Sequence, residues 1–207
     1  MEVLLMVVLI GYALGCIHGS QIVGKYKKVN IKKNGLKNAG ASNATLLLGF
    51  RFGAIVAFVD ITKAILSLLI TVNLLNYVGI NEELAFIYLL LNGLAVIIGH
   101  NYPLTMNFDG GKGTASFLGF LLFLNWKLAF VCLFIALIIS VLTNYFVIGT
   151  FSGYITFNVY VFFLYSQLPI LLSLIFTSLF IIKHIENFKR IMNDEEMKLR
   201  TFFLKRS

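Results

Sequence analysis

The chain has 207 residues, 59% of them hydrophobic and 13% charged, with a formal net charge of +8. Soluble domains average about 45–50% apolar and about 25% charged residues, so this chain cannot cover itself with polar surface and lipid is its natural solvent. The positive charge does not point to nucleic acid, because the lysines sit in short loops beside apolar runs, where basic residues set membrane topology.

A helix crosses the hydrocarbon in roughly 20 apolar residues, and the runs are read in order on that scale. Residues 3–23 form the first span. Met1-Glu2-Val3 lacks the basic start of a cleavable signal peptide, so this span is expected to be retained. A basic polar loop, 24–43, carries Lys25, Lys27, Lys28, Lys32, Lys33 and Lys37. The second span covers 52–75, with a partly embedded lead-in from Ala44, and a short loop at 76–83 has no Lys or Arg. The third span, 84–98, leads into a polar loop at 99–113. The fourth, 114–124, is short for a full crossing and ends at a tight turn with an interfacial Trp126. The fifth covers 128–142, a brief loop 143–153 follows, and the sixth covers 154–164. Pro169 sits near the first turn of the seventh span, where proline is tolerated. That span ends near Ile182, and a charged amphipathic tail runs over 183–207.

The predicted architecture is an all-α polytopic membrane helix bundle of about seven transmembrane helices, one integral-membrane domain over residues 1–207. Seven spans put the termini on opposite sides, and the side holding nearly all the Lys and Arg is expected in the cytoplasm, which places the N-terminus outside. Cys16 and Cys132 both lie in apolar runs without metal-type spacing and read as small buried hydrophobes. No metal cluster and no cofactor motif is visible.

Four polar groups interrupt this apolar background. Asp60 and Lys63 lie within the second span at i and i+3, hence on one helix face. Charge inside a span faces a partner or a watery cavity, so the pair either locks the span against its neighbours or meets a substrate. The segment Gly99-His100-Asn101-Tyr102-Pro103, then Phe108-Asp109-Gly110-Gly111-Lys112-Gly113-Thr114, places glycines around a lysine where a helix begins. Bare backbone N–H groups, a positive helix end and an ammonium suit an anion, phosphate above all. The spacing is not that of a Walker A loop, and no strand precedes it. The loop from Asn30 to Asn43 combines amides, a hydroxyl, glycines and lysines, which suit a polyol or a phosphate. His184 and Asn187 lie one turn apart and face the same way, with Lys189, Arg190 and Lys198 beyond them as contacts to anionic lipid headgroups.

These residues resemble the bacterial integral-membrane glycerol-3-phosphate acyltransferases that take acyl phosphate as donor. The resemblance spans nearly the whole chain. It is sharpest at Gly99 to Ser116, which is similar to the family's Gly-His-x-(Phe/Tyr)-Pro and Phe-x-Gly-Gly-Lys-Gly-x-Ala-Thr run. Gly40-Ala41-Ser42-Asn43 resembles its Gly-Ala-Thr-Asn, Asp60-Ile61-Thr62-Lys63 its Asp-x-x-Lys, and His184-Ile185-Glu186-Asn187 its His-x-x-Asn. The chain departs from the family elsewhere: Gly15-Cys16-Ile17-His18 stands for Gly-Ser-Ile-Pro, and Asn30-Ile31-Lys32 for Asp-x-Arg. Gly35-Leu36-Lys37-Asn38 stands for Gly-Ser-Gly-Asn, and Asn144 and Val147 replace an Arg and a Ser. Lysine does not reproduce the two-pronged grip of arginine on phosphate.

The resemblance implies acyl transfer from acyl phosphate to the 1-hydroxyl of glycerol 3-phosphate, at a multi-pass bacterial cell membrane. It implies that Lys112, with backbone groups of Gly110, Gly111 and Gly113, holds a phosphate, and that Lys32, Asn38, Ser42 and Asn43 hold glycerol phosphate. His184 and Asn187 orient polar oxygens near the reacting carbonyl, and His100 braces the glycine loop. Two other readings stay open on the sequence: a non-catalytic relative that binds phosphate or lipid, and a small transporter using Asp60 and Lys63.

Overall fold

The computed structural model describes residues 1–204, with side chains through Phe202. Among the described residues the regular structure is helical throughout. In chain order the helices are α1 (Glu2–Gly15), α2 (Gly19–Lys27), α3 (Ala41–Leu48), α4 (Phe50–Val78), α5 (Glu82–Asn101), α6 (Thr114–Leu124), α7 (Trp126–Thr143), α8 (Phe146–Leu164), α9 (Gln167–Met192) and α10 (Leu199–Leu204). Single 3-10 turns lie at Ile31–Lys33 and Leu104–Met106. Six stretches are long and apolar enough to cross a bilayer: Glu2–Lys27, Phe50–Val78, Glu82–Met106, Trp126–Thr143, Phe146–Leu164 and Gln167–Met192. The shorter apolar helix α6 has 11 residues; at 1.5 Å per residue it rises about 16 Å, roughly half the hydrocarbon thickness. The protein is an all-α, multi-pass membrane protein.

The chain divides into two compact units, Met1–Leu124 and Asn125–Ser207. In the first, α1 runs along α5, and α4 packs on α3 and α6. Lipid offers helices no hydrophobic drive toward each other, so small residues and interhelical hydrogen bonds hold them. Gly15 and Gly99 meet so closely that a Cβ on Gly15 would stand 3.0 Å from the Gly99 Cα. The Asn92 amide donates to the Val7 carbonyl at 2.9 Å and accepts from the Ser67 hydroxyl at 2.8 Å, tying α5 to α1 and α4.

In the second unit α8 packs on α7 and α9, around buried Tyr154, Phe157, Phe176 and Phe180. Its outer faces carry Phe134, Leu142, Phe162 and Phe163, each at least 63% exposed. Such faces suit hydrocarbon rather than water.

The structure departs from the sequence reading in three places. The first span is broken: α1 stops at Gly15 and α2 starts at Gly19, with His18 extended between them. Residues 146–153, predicted as loop, are the opening turns of α8. The seventh span does not end near Ile182, because α9 continues to Met192. The charged tail predicted over 183–207 therefore starts as helix, and its last three residues lie outside the described ones.

Candidate functional site

The break in the first span is where the buried charges gather. Ending a helix in lipid leaves carbonyls at one end and N–H groups at the other without partners. Lys63 and Asp60, one turn apart on α4, serve these two ends separately. The Lys63 ammonium donates to the Gly15 carbonyl at 2.9 Å and to the Ile17 carbonyl at 2.5 Å. The Asp60 carboxylate accepts from the Gly19 N–H at 3.4 Å, at the start of α2. The two charges stand 3.2 Å apart, and both residues are at most 3% exposed. The cation lies at a carbonyl end and the anion at an N–H end, which is the favourable sense for the helix dipole. Of the two roles open on the sequence, the geometry displays the locking one.

The same ammonium stands 2.7 Å from the His100 Nδ1. An ammonium can only donate, so His100 accepts at Nδ1. The His18 ring stacks on His100, with centroids 4.6 Å apart, and both His18 nitrogens are buried without a hydrogen bond. His18, Asp60 and His100 present ligand atoms that all lie within 4.8 Å of one another, a set of the kind that binds a divalent metal. Lys63 reaches two of the three, so the chain itself supplies the positive charge such a set attracts. His18 occupies the position where the resembled family has proline, and the sequence reading did not single it out as a site residue. The only signal for it was a histidine within an apolar run.

The glycine loop folds back on the last turn of α5. The Gly111 N–H donates to the His100 carbonyl at 3.0 Å, and the Gly110 N–H to the Asn101 carbonyl at 3.1 Å. These two N–H groups shape the loop, and do not face a ligand as the sequence reading had it. The Gly111 Cα lies directly under the His100 Nε2, where any side chain would strike the ring. Gly113 has φ +82°, a left-handed turn that glycine takes without strain, and from there the chain enters α6. The donors the loop offers an anion are thus the N–H groups that open α6, which no earlier turn of that helix takes, together with half-buried Lys112.

The basic loop lies against this segment. The Lys32 ammonium contacts both the carbonyl and the carboxylate of Asp109. A cavity of about 1030 Å³ opens there, and Lys25, Lys28, Lys32, Lys33 and Lys37 line it together with Asp109. The structure therefore brings Lys32 to the glycine segment. Asn43 behaves otherwise. It is fully buried, its amide nitrogen lies 2.7–2.9 Å from the carbonyls of Ile31, Asn34 and Asn38, and its oxygen accepts from the Leu36 N–H at 2.7 Å. Asn43 staples the loop and is not presented to a ligand. Asn38 accepts from the Gly40 N–H at 3.0 Å, and Ser42 is exposed at the start of α3.

His184 and Asn187 lie in the second unit, both buried. The His184 Nδ1 stands 2.9 Å from the Phe180 carbonyl, and its ring stacks on Phe180 with centroids 4.0 Å apart. The contact is one turn back along α9, not a cap at the helix end, since the helix runs two more turns. The Asn187 amide donates to Glu196 at 2.6 Å, and the Arg190 guanidinium holds the other oxygen of the same carboxylate at 2.6 Å. Further along, the N–H groups of Leu199 and Arg200 bond the backbone and side chain of Asn144. Glu196 was not visible as a site residue in the sequence, where it is one of several acids in a charged tail.

Residues 5–194 match the protein family described as glycerol-3-phosphate acyltransferase. The chain is 45% identical over 199 residues to glycerol-3-phosphate acyltransferase 1 of Oceanobacillus iheyensis, covering 96% of each chain. It is 34% identical over 193 residues to the glycerol-3-phosphate acyltransferase of Thermoanaerobacter pseudethanolicus, covering 92% of this chain and 93% of that one. Among solved structures it resembles the integral membrane glycerol 3-phosphate acyltransferase PlsY (YgiH) in its glycerol 3-phosphate form, with a TM-score of 0.86, 28% identity and 99% of both chains covered. The lysophosphatidic acid form of PlsY gives a TM-score of 0.83 and 27% identity over 97% of this chain and 98% of that one.

Proposed function

This chain belongs to the glycerol-3-phosphate acyltransferase family, and from that premise we propose that it transfers an acyl chain from acyl phosphate to the 1-hydroxyl of glycerol 3-phosphate, giving lysophosphatidate and phosphate. The observation that carries the reading is the lysine-lined cavity beside the glycine segment, with Lys32 at their junction. It can receive a phosphorylated polyol, while the apolar faces of the spans suit an acyl chain in the bilayer. The positive-inside distribution of lysines supports a cytoplasmic mouth.

An acyl phosphate is already activated, so no covalent enzyme intermediate is required. The 1-hydroxyl oxygen attacks the acyl carbonyl carbon and a new C–O ester bond forms. The bond from that carbon to the phosphate oxygen breaks, and the departing phosphate takes the hydroxyl proton. The protein supplies positioning and stabilisation of the developing negative charge. Lys112 and the N–H groups opening α6 hold one phosphate; Lys32 and its neighbouring lysines draw in the other. The reading assigns His184 and Asn187 to orient polar oxygens of the reactants.

The test is to supply the purified protein with acyl phosphate and labelled glycerol 3-phosphate. Labelled lysophosphatidate is expected, and a Lys112→Ala variant as active as the parent refutes the role given to Lys112. An inactive parent that still binds phosphate returns the chain to the reading of a non-catalytic relative, which the replaced Arg and Ser of the family favour.

A further inference from the structure

We infer that Lys63 is a positioning residue for the glycine loop, acting through the proton of His100. Four observations converge on this. First, the Lys63 ammonium stands among four acceptors, the carbonyls of Gly15 and Ile17, the His100 Nδ1 and the Asp60 carboxylate, at 2.9, 2.5, 2.7 and 3.2 Å. Its direction is thereby fixed, and so is the lone pair it meets on His100. Second, an imidazole that accepts at Nδ1 carries its proton on Nε2. Third, Nε2 is the ring atom nearest to where a Cβ on Gly111 would stand, so the proton lies on the loop side of the ring. Fourth, the backbone of the same histidine receives the Gly111 N–H, and its other face is covered by His18. The ring is held at Nδ1 by Lys63 and on one face by His18, and its Nε2 is turned to the loop.

The consequence is a relay of fixed geometry from the break in the first span to the anion loop. Asp60 holds α2, Lys63 holds the end of α1 and the ring, and the ring packs against Gly111. Removing Lys63 frees the tautomer of His100. The loop then samples arrangements in which the N–H groups opening α6 no longer converge, and anion affinity falls. This effect belongs to binding of the phosphorylated acceptor, not to the acyl transfer step. For its kinetic arm, though not for its spectroscopic one, the inference rests on the function proposed above.

Removing Lys63 alone strands the buried Asp60 carboxylate, so the test uses paired variants in the full-length protein in nanodiscs. The chain has three histidines, and ¹⁵N-histidine labelling with single substitutions assigns each. The parent is expected to show His100 protonated at Nε2, and Nδ1 protonation overturns the inference outright. Asp60→Asn/Lys63→Met is expected to lose that preference and raise KM for glycerol 3-phosphate about tenfold or more, the loss that one hydrogen bond to a charged group carries, with kcat nearly constant. Asp60→Asn/Lys63→Gln, whose amide can donate to Nδ1, is expected to recover both. If both pairs behave alike, or KM stays at the parent value, the inference fails. If neither pair folds, the tautomer of the parent decides alone. A parent that shows the expected tautomer but never turns over glycerol 3-phosphate sinks the proposed function and leaves the structural relay standing.

Discussion

His100 and His184 are two buried imidazoles on apolar helices, 3% and 5% exposed, and their neighbours give them opposite characters. His100 meets an ammonium, which only donates, so its Nδ1 accepts and its proton sits on Nε2. His184 meets the Phe180 carbonyl, which only accepts, so its Nδ1 donates. One ring therefore accepts at Nδ1 and the other donates there. What separates them is one partner atom each, and it teaches that the role of a buried histidine in a membrane protein is read from its second nitrogen.

The strongest way to break this contrast is to remove charge from the first unit. A lone Lys63→Met leaves the Asp60 carboxylate buried and uncompensated, and such a loss destabilises by about 3–5 kcal/mol. Thermal unfolding in detergent should show it, with most of the stability returned in Asp60→Asn/Lys63→Met. His184→Phe keeps the stack on Phe180 and loses the hydrogen bond to the Phe180 carbonyl, a loss of about 1 kcal/mol. Equal losses in the two single variants would mean that the Asp60–Lys63 pair is solvated in the folded protein.

Activity should reverse that ranking. His184→Phe removes the imidazole nitrogens, and loss of an acid–base or orienting group costs about 10²-fold or more in rate. The expected signature is a fall in kcat with KM for glycerol 3-phosphate little changed, the opposite of the pattern expected at Lys63. A fall in KM alone, or unchanged kcat, removes His184 from the reaction. Next in size stands Glu196, which binds Asn187 and Arg190 together. Its side chain is 12% exposed, and Glu196→Gln keeps the shape while removing the charge. A loss of about 1–2 kcal/mol is expected, in the range of hydrogen bonds to charged groups. Binding of Asn187 to the tail predicts that kcat drops in the same variant.

How far these features were legible in the sequence depends on which atoms each helix borrowed from elsewhere. α6 has the ends its apolar run shows, Thr114 and Leu124, because glycines and an Asn bracket it locally. The start of α8 was misread because Asn144, Gly149, Thr150, Ser152 and Gly153 look like loop residues. In the structure Thr150 and Ser152 return their hydroxyls to the Phe146 and Gly149 carbonyls at 2.9 and 2.6 Å, which frees them from water. Gly149 in turn lets the Ala136 carbonyl and Ser140 approach. The break at His18 was hidden for a related reason. Its unpaired ends are satisfied by Asp60 and Lys63, more than forty residues away, and nothing local announces it. The composition of the glycine loop suggested the anion site proposed above. That two of its N–H groups close onto α5 was not legible there, since this depends on where the end of α5 is held.

The smallest effect tests the exposed margin of the site. Lys32 and Asp109 form an ion pair whose side chains are 21% and 73% exposed, and pairs of this kind contribute at most about 1 kcal/mol. Asp109→Asn should therefore leave unfolding nearly unchanged. Its effect should fall on binding instead. The carboxylate engages the lysine that the proposed function gives to a phosphate. Removing it leaves Lys32 and its four neighbouring lysines facing the cavity without that counter-charge. KM for glycerol 3-phosphate should fall by about twofold to fivefold at low salt, and the gain should shrink as the Debye length contracts from about 30 Å at 0.01 M to about 10 Å at 0.1 M. A gain that survives high salt would place Asp109 in direct contact with the acceptor. A rise in KM would show that the carboxylate aligns Lys32 for the phosphate rather than competing with it.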